Sequence, residues 1–558
     1  MTRRTARLAS GAWLWAAFWL IGAGPAGTEA RERSTVPPRA LTIVRHLAIQ
    51  HNGRNKPFDG FARETLRHLT GSPRHGAQDP VETVLDILAQ PEGWQAEPLI
   101  ALPFIPLREA LGLGPQMSHV SHNQLIETRA LMRRLPAIVE KQRRDEKLTM
   151  LEQETMDAFD RFVTFSGLLE HKLALVPPPT ALTREWLPIL APAGHPPERQ
   201  QALRDAWNGF LGAWRAGEAG AIEAAARTLS DALRSANPSA YPSRWRLRLE
   251  VFYNLARPFQ VAMLLYGIAA LGLFAGLASA RRQAAKAAAV GMRVCWAAVL
   301  LHAAGIAVRV VLGGRPPVSN FYETMLWLPF VGVALALVFE RIYRARYFAL
   351  AAAILAAVTL ALADQVPLDS SIAPVVAVLR STLWLTIHVL TIVASYGALA
   401  LATVLAHVYG ALFLSRRGRH PALASLDLFL YRAIQVGVVL LAGGIMLGAV
   451  WANASWGRYW GWDPKETWAL ITLLWFLAAL HGRFAGWLKG IGVALCTIAG
   501  FFLLLMTYYG VSFYLVGLHS YAGGHAKPLP TLLVAYLIAE AAFLLILGAA
   551  ALRRSRLT

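Results

Sequence analysis

From about residue 257 onward the chain is written in apolar blocks close to 20 residues long, separated by short polar or basic connections. At 1.5 Å per residue, such a block crosses the bilayer core as a helix. In lipid no water satisfies the peptide groups, so repeated blocks of this kind leave helical spanning as the outcome. They fall at roughly 257–279, 290–312, 323–340, 347–363, 380–414, 430–450, 466–481, 488–516 and 530–552. The whole chain is 55% hydrophobic and 16% charged, too apolar for a soluble protein of 558 residues. The expected fold class is an all-α polytopic membrane protein with about nine C-terminal transmembrane helices.

The basic residues give the orientation. Arg281-Arg282 with Lys286, Arg341 to Arg346, Arg416-Arg417 with Arg419, Arg483 with Lys489, and Arg553-Arg554 with Arg556 fall on alternate connections. Positive loops stay inside, so these connections and the C-terminus are expected to be cytoplasmic. The connections Gly313–Asn320, Asp364–Pro374, Trp451–Trp468 and His519–Pro530 are then external. The N-terminus reads Met1-Thr-Arg3-Arg4-Thr-Ala-Arg7 followed by an apolar stretch to about Gly24. That is a signal peptide or an uncleaved anchor, and it directs the polar residues behind it to the exported side. The expected domains are therefore a leader at 1–30, an exported soluble domain at 31–250 and a membrane domain at 251–558.

The exported part is polar and proline-punctuated, and Ala202–Ala216 and Ala221–Ala236 carry helical apolar spacing. It is expected to be mostly helical, with a turn-rich opening at His51–Gly60, and it holds no catalytic motif. Docking or support is its expected role. The net charge of +20 does not indicate nucleic acid, because many basic residues lie at membrane edges and no basic patch is interleaved with aromatics. Cys295 and Cys496 sit inside apolar runs and read as core. With no Cys-x-x-Cys pair, the chain has neither a thioredoxin-like redox motif nor a covalent haem attachment site.

One external segment is chemically distinctive. Trp451-Ala-Asn-Ala-Ser-Trp456-Gly-Arg-Tyr459-Trp460-Gly-Trp462-Asp463-Pro-Lys-Glu466-Thr-Trp468 holds five tryptophans and a tyrosine. Indoles at a membrane surface serve as interface anchors or as a platform for a flat ligand. Histidines inside membrane segments are costly and usually have a purpose, and His302, His388, His407 and His481 lie in the apolar blocks. Counting about 20 residues back from Ser415 reaches Tyr396, so His388 lies about 10 Å into the external interface. The same count from Gly490 ends near Tyr509 and puts His519 outside as well. Two imidazoles and an aromatic platform in one layer suit haem, with a histidine on each axial side of the iron. Asp463 and Glu466 are read as helix-capping groups rather than acid catalysts.

Trp456-Gly-Arg-Tyr-Trp460-Gly-Trp462-Asp463-Pro-Lys-Glu-Thr-Trp468 closely resembles the WWD signature of cytochrome c assembly proteins. Pro317-Val-Ser319-Asn320-Phe-Tyr322-Glu323 and Gly517-Leu-His519-Ser520-Tyr521 resemble loops of the CcsA (ResC) branch, so the likeness covers about residues 290–525. The resemblance implies haem movement across the bacterial cytoplasmic (inner) membrane and its thioether attachment to exported apocytochrome c. It implies haem b as the bound intermediate, held by His388 and His519 at the external site, with Trp451, Trp456, Tyr459, Trp460 and Trp462 around it. It implies a subunit of a holocytochrome c synthase, partnered by a CcsB (ResB)-like membrane subunit and by thiol-reducing proteins. His481 would belong to an inner haem site. Its second ligand is expected to be His302 or a partner residue, with His407 at a similar depth. The loop often reading Gly-His-x-Pro in that family reads Gly314-Arg315-Pro316-Pro317 here, and Arg315 becomes a candidate for a haem propionate. Two alternatives stay open: a haem transporter or chaperone without ligase activity, and a channel whose tryptophans form only an interface belt.

Overall fold

The computed structural model describes residues 37–555 apart from 181–182, 280, 366–367, 369, 375–382, 416–417 and 520–528. The leader expected at 1–30 lies outside the described residues, as does most of the connection after His519.

The N-terminal domain has its own hydrophobic core, running from Ala40 to Leu247. Helices Pro197–Ala216 and Ala219–Ala236 form a pair that buries Leu203, Trp207, Phe210, Leu211 and Trp214 from one and Ile222, Ala226, Leu229 and Leu233 from the other. Those positions recur every three or four residues, as an amphipathic pair requires. The turn-rich opening is a short antiparallel hairpin, Ala48–His51 with Arg54–Pro57. Asn52 and Gly53 join its strands with positive φ at both positions, the conformation that tight hairpins need.

Among the described residues, nine helices are long and apolar enough to cross a membrane. Helix Arg244–Ala256 leads through Arg257 into α1 (Pro258–Ala278). Next come α2 (Arg282–Gly313), α3 (Phe321–Tyr343), α4 (Tyr347–Gln365), α5 (Leu383–Ser415), α6 (Leu423–Trp456) and α7 (Pro464–Phe484). Helix α8 runs from Ile491 to Tyr514 through a π-helical turn at Met506–Gly510, and α9 is Thr531–Ser555. Each sequence block thus becomes one helix, and several extend well beyond it.

Small residues set the close crossings, as is usual where lipid offers no hydrophobic drive between helices. Gly397 of α5 lies against Gly332 and the Leu328 carbonyl of α3, and Gly272 of α1 lies against Gly291 of α2. Helix α5 is the most buried of the nine and α9 the least. The basic connections meet at one end of the bundle. There Arg483 pairs with Asp427 at 2.6 Å, and Arg554 donates to the Gly418 carbonyl at 2.6 Å.

The N-terminal domain sits on the opposite end. Arg246 donates to the Leu312 carbonyl at 2.8 Å, Arg67 bonds Ser370, and Gly53 faces the Pro374 ring. Beneath it is a buried charge cluster. Glu323 receives Arg309 at 2.9 Å and Arg315 at 2.6 Å, and Arg309 also donates to the Ser370 carbonyl at 3.0 Å.

Candidate functional site

The start of α5, the end of α6, the start of α7 and the segment after α8 converge at the end that carries the N-terminal domain. The tryptophan segment is less of a loop than its composition implies. Trp451 and Trp456 lie in the last turns of α6, which Gly457 ends with φ +71°. Only Gly457–Asp463 is non-helical before α7 begins at Pro464. A left-handed glycine is the usual helix stop.

His388 projects from the first turns of α5 toward α6. Its Nδ1 donates to the Gly444 carbonyl at 2.8 Å, since a carbonyl can only accept. The proton on Nδ1 leaves Nε2 with a lone pair, the form in which imidazole binds a metal. The ring lies directly on Gly448, where a Cβ would stand 2.6 Å from its Cε1. Trp451 stacks parallel to it, with centroids 6.2 Å apart at 8°.

His519 meets the same indole from another direction. Its ring centroid is 6.1 Å from Trp451 and 5.9 Å from Trp456, both edge-on, and the two indoles touch at 4.6 Å. Its Nδ1 is held by Asp463 Oδ1 at 2.9 Å. Both imidazoles therefore have Nδ1 engaged by protein and Nε2 as the remaining nitrogen. Such supporting acceptors orient metal-binding histidines.

Asp463 joins the pieces. It caps α7 by accepting from the Lys465 amide at 2.9 Å, and Glu466 returns a bond from the Asp463 amide at 3.2 Å, a capping box. Its Oδ2 accepts from the Leu518 amide at 2.7 Å. Gly517 permits that approach, because a Cβ there would sit 2.5 Å from Oδ2. Burial pushes the Asp463 carboxyl up, but the bonds from His519, Lys465 and Leu518 outweigh it and hold the group below its ordinary value.

The aromatic residues divide into two sets. Trp451 and Trp456 belong to the histidines, whereas Tyr459 and Trp462 point outward, 60% and 69% exposed. Trp462 has φ +56°, a conformation rare for a bulky residue and common where function holds strain. Trp460 packs edge-on against it at 5.7 Å.

The other expected residues lie elsewhere. His302 is fully buried in a ring cage of Phe259, Tyr266 and Phe330. His481 is exposed near the basic end of α7, with Nδ1 on the Leu477 carbonyl at 2.8 Å. These two surroundings share no residue. His407 has both nitrogens engaged, by the Thr403 carbonyl at 2.8 Å and Glu540 at 3.0 Å. Arg315 is committed to Glu323 and to the Ala373 carbonyl. Sequence reasoning missed Gly444 and Gly448, although their four-residue spacing on α6 is a helix-contact signal. It also passed over Arg458.

A bundle of spanning helices that gathers two histidines about a tryptophan-rich segment defines a polytopic membrane protein. The family model described as "Cytochrome C assembly protein" matches residues 318–519. The chain belongs to that family, on its CcsA side. It is 36% identical over 249 residues to a cytochrome c biogenesis protein CcsA of Prochlorococcus marinus, covering 38% of this chain and 77% of the relative. It is 36% identical over 260 residues to one from Synechococcus, covering 40% and 83%. Protein NrfI of Wolinella succinogenes is 32% identical over 512 residues, covering 86% of this chain and 54% of NrfI. The chain thus spans about half the length of NrfI. The match also takes in more of this chain than the membrane part alone supplies, so NrfI resembles the N-terminal domain too.

Proposed function

We propose that this protein works in cytochrome c biogenesis by binding haem b at the exported end and presenting it to apocytochrome c. The convergence of His388 and His519 on Trp451 carries the reading. Among the described residues no group of three or more His, Cys, Asp or Glu side chains is placed to hold a bare ion. Two imidazoles with open Nε2 atoms suit a metal that brings its own equatorial ligands. Indole faces suit a porphyrin plane.

In this reading His388 and His519 fill both axial positions and keep oxygen from the iron. Apocytochrome c presents Cys-x-x-Cys-His. Each thiol adds across a vinyl double bond, the sulfur to one carbon and the proton to the other, so the addition consumes no oxidant. The protein's contribution is placement, which is worth many kcal/mol when reacting groups are held in register. Asp463 keeps His519 in its binding tautomer. The substrate's own histidine then replaces one axial ligand.

The positive-inside pattern supports an orientation with the exported domain and Trp451 outside and the C-terminus in the cytoplasm. Exposed His481 suits an inner site completed by a CcsB-like subunit, since it faces away from the bundle. Separate thiol-reducing proteins would keep the substrate cysteines reduced.

The test is purification followed by haem spectroscopy. A low-spin bis-histidine spectrum is expected, lost or altered in His388→Ala and in His519→Ala along with holocytochrome c yield. Unchanged spectra and yield in both variants would remove the site. Co-expression with an apocytochrome c and a CcsB-like subunit separates synthase from transporter. Covalent product supports the first, and haem accumulation without product the second.

A further inference from the structure

We infer that Arg458 is the carboxylate-binding group of this site, and that it recognises a haem propionate. The inference rests on the haem reading above and names which part of the ligand the loop grips. Arg458 lies in the turn between α6 and α7. Its guanidinium packs directly on Gly461, where any Cβ would overlap it, and its Cζ lies 5.9 Å from the Trp456 ring centroid. Trp456 in turn touches both Trp451 and His519. The cation is thus one indole away from the open imidazole nitrogens.

Its Nη1 is buried and has no hydrogen-bond partner, and among the described residues no carboxylate lies within ion-pair distance of it. A buried charged donor left unsatisfied is expensive, and native proteins rarely keep one without a use. The other cations near the site are committed. Lys465 donates to the Tyr508 carbonyl at 3.2 Å and to Ser512 at 3.0 Å, and Arg309 and Arg315 share Glu323. Arg458 is left as the group for an anionic ligand. A guanidinium offers a planar fork that matches a carboxylate, and stacking on an indole keeps that fork in place. A porphyrin carries its two propionates along one edge, away from the iron that His388 and His519 would hold.

The experiment titrates purified full-length protein with iron protoporphyrin IX and, separately, with its dimethyl ester, which has the same ring and iron but no carboxylates. The original protein should prefer the free acid by about ten- to a hundredfold, the range of a hydrogen bond to a charged group. Arg458→Gln should bring that ratio close to one, and Arg458→Lys should leave an intermediate value. Gly461→Ala keeps the arginine but displaces it and should also lower the ratio. The position of the low-spin bands reports the histidines separately. Arg458→Gln retaining the full preference, or an original protein that binds both porphyrins equally, overturns the assignment. An original protein with no low-spin spectrum for either porphyrin overturns the haem reading and this assignment with it.

Discussion

The close seating of His388 on Gly448 makes a single methyl group a sharp probe. In Gly448→Ala the new Cβ would lie 2.6 Å from His388 Cε1, 2.9 Å from Nδ1 and 3.3 Å from Nε2. Comfortable carbon contacts begin at about 3.5 Å, so the ring must retreat by about 1 Å. It cannot retreat and also keep its 2.8 Å bond to the Gly444 carbonyl, because beyond about 3.5 Å that bond is gone. Overpacking and the lost bond together cost about 1–3 kcal/mol. Alanine returns about 1 kcal/mol through helix propensity, so the net loss is about 0–2 kcal/mol and the protein should still fold. The damage falls on the site, where a 1 Å displacement of a positioned group costs about a hundredfold in rate. Low-spin haem should become partly high-spin and holocytochrome c yield should collapse. The control is Gly443→Ala on the same helix, where nothing lies within 4 Å of the added carbon. It should match the original protein. If the two alanine variants behave alike, the seating of His388 on α6 is not what sets its position.

Asp463→Asn keeps an N-cap-competent side chain but removes the charge that holds His519 and should weaken axial ligation while costing the helix under about 1 kcal/mol. Because the Asp463 carboxyl is held below its ordinary value, its contribution is complete above about pH 4 and is lost as pH falls further. A spectral titration should therefore be flat from pH 5 to 8 on its account and fail in stronger acid. Glu323→Gln strips Arg309 of its buried partner and should destabilise by about 3–5 kcal/mol, whereas adding Arg309→Met should recover much of it, as thermal unfolding in detergent would show. In the N-terminal domain, Glu82 is 7% exposed and pushed up to about 6 by burial and by Asp86 and Asp79. A raised carboxyl pKa favours the protonated folded state, so stability falls as pH rises from about 4.5 through 6. Glu82→Gln should gain about 1 kcal/mol at pH 7.5 and nothing at pH 4, measured by the melting temperature of that domain.

The spanning helices were readable because lipid leaves hydropathy little ambiguity, and each block became a helix. The meeting of His388, His519 and Trp451 at one end also came out of counting rises along α5 and α8. What counting cannot supply is rotation and contact. It gave His302, His407 and His481 comparable depths, but depth does not reveal the ring cage, the Glu540 partner or the exposed face that separate them. Sequence reasoning singles out Arg315 and passes over Arg458, although both are basic residues in turns between helices. Only the tertiary fold brings Glu323 to the first and leaves the second, among the described residues, with no ion pair and with Nη1 unbonded. Gly457 signalled the end of α6, and ignoring it made the tryptophan segment appear a longer loop than it is.

The π-helical turn at Met506–Gly510 has a consequence that hydropathy cannot display. A wider turn holds an extra residue and so offsets the angular register of everything beyond it. Before it, Gly500 of α8 faces Phe476 and Trp475 on α7. Within it, Tyr508 turns to Thr324 on α3 at 2.9 Å and stacks on Phe321. A one-residue deletion inside this turn would let it close to ordinary α-helix and leave the faces beyond it in place, whereas the same deletion in the regular part of α8, Ile491–Leu505, would keep the span apolar and long enough and would swing the stretch toward His519 by about 100°. The protein would still insert, and one jaw of its grip would close on lipid.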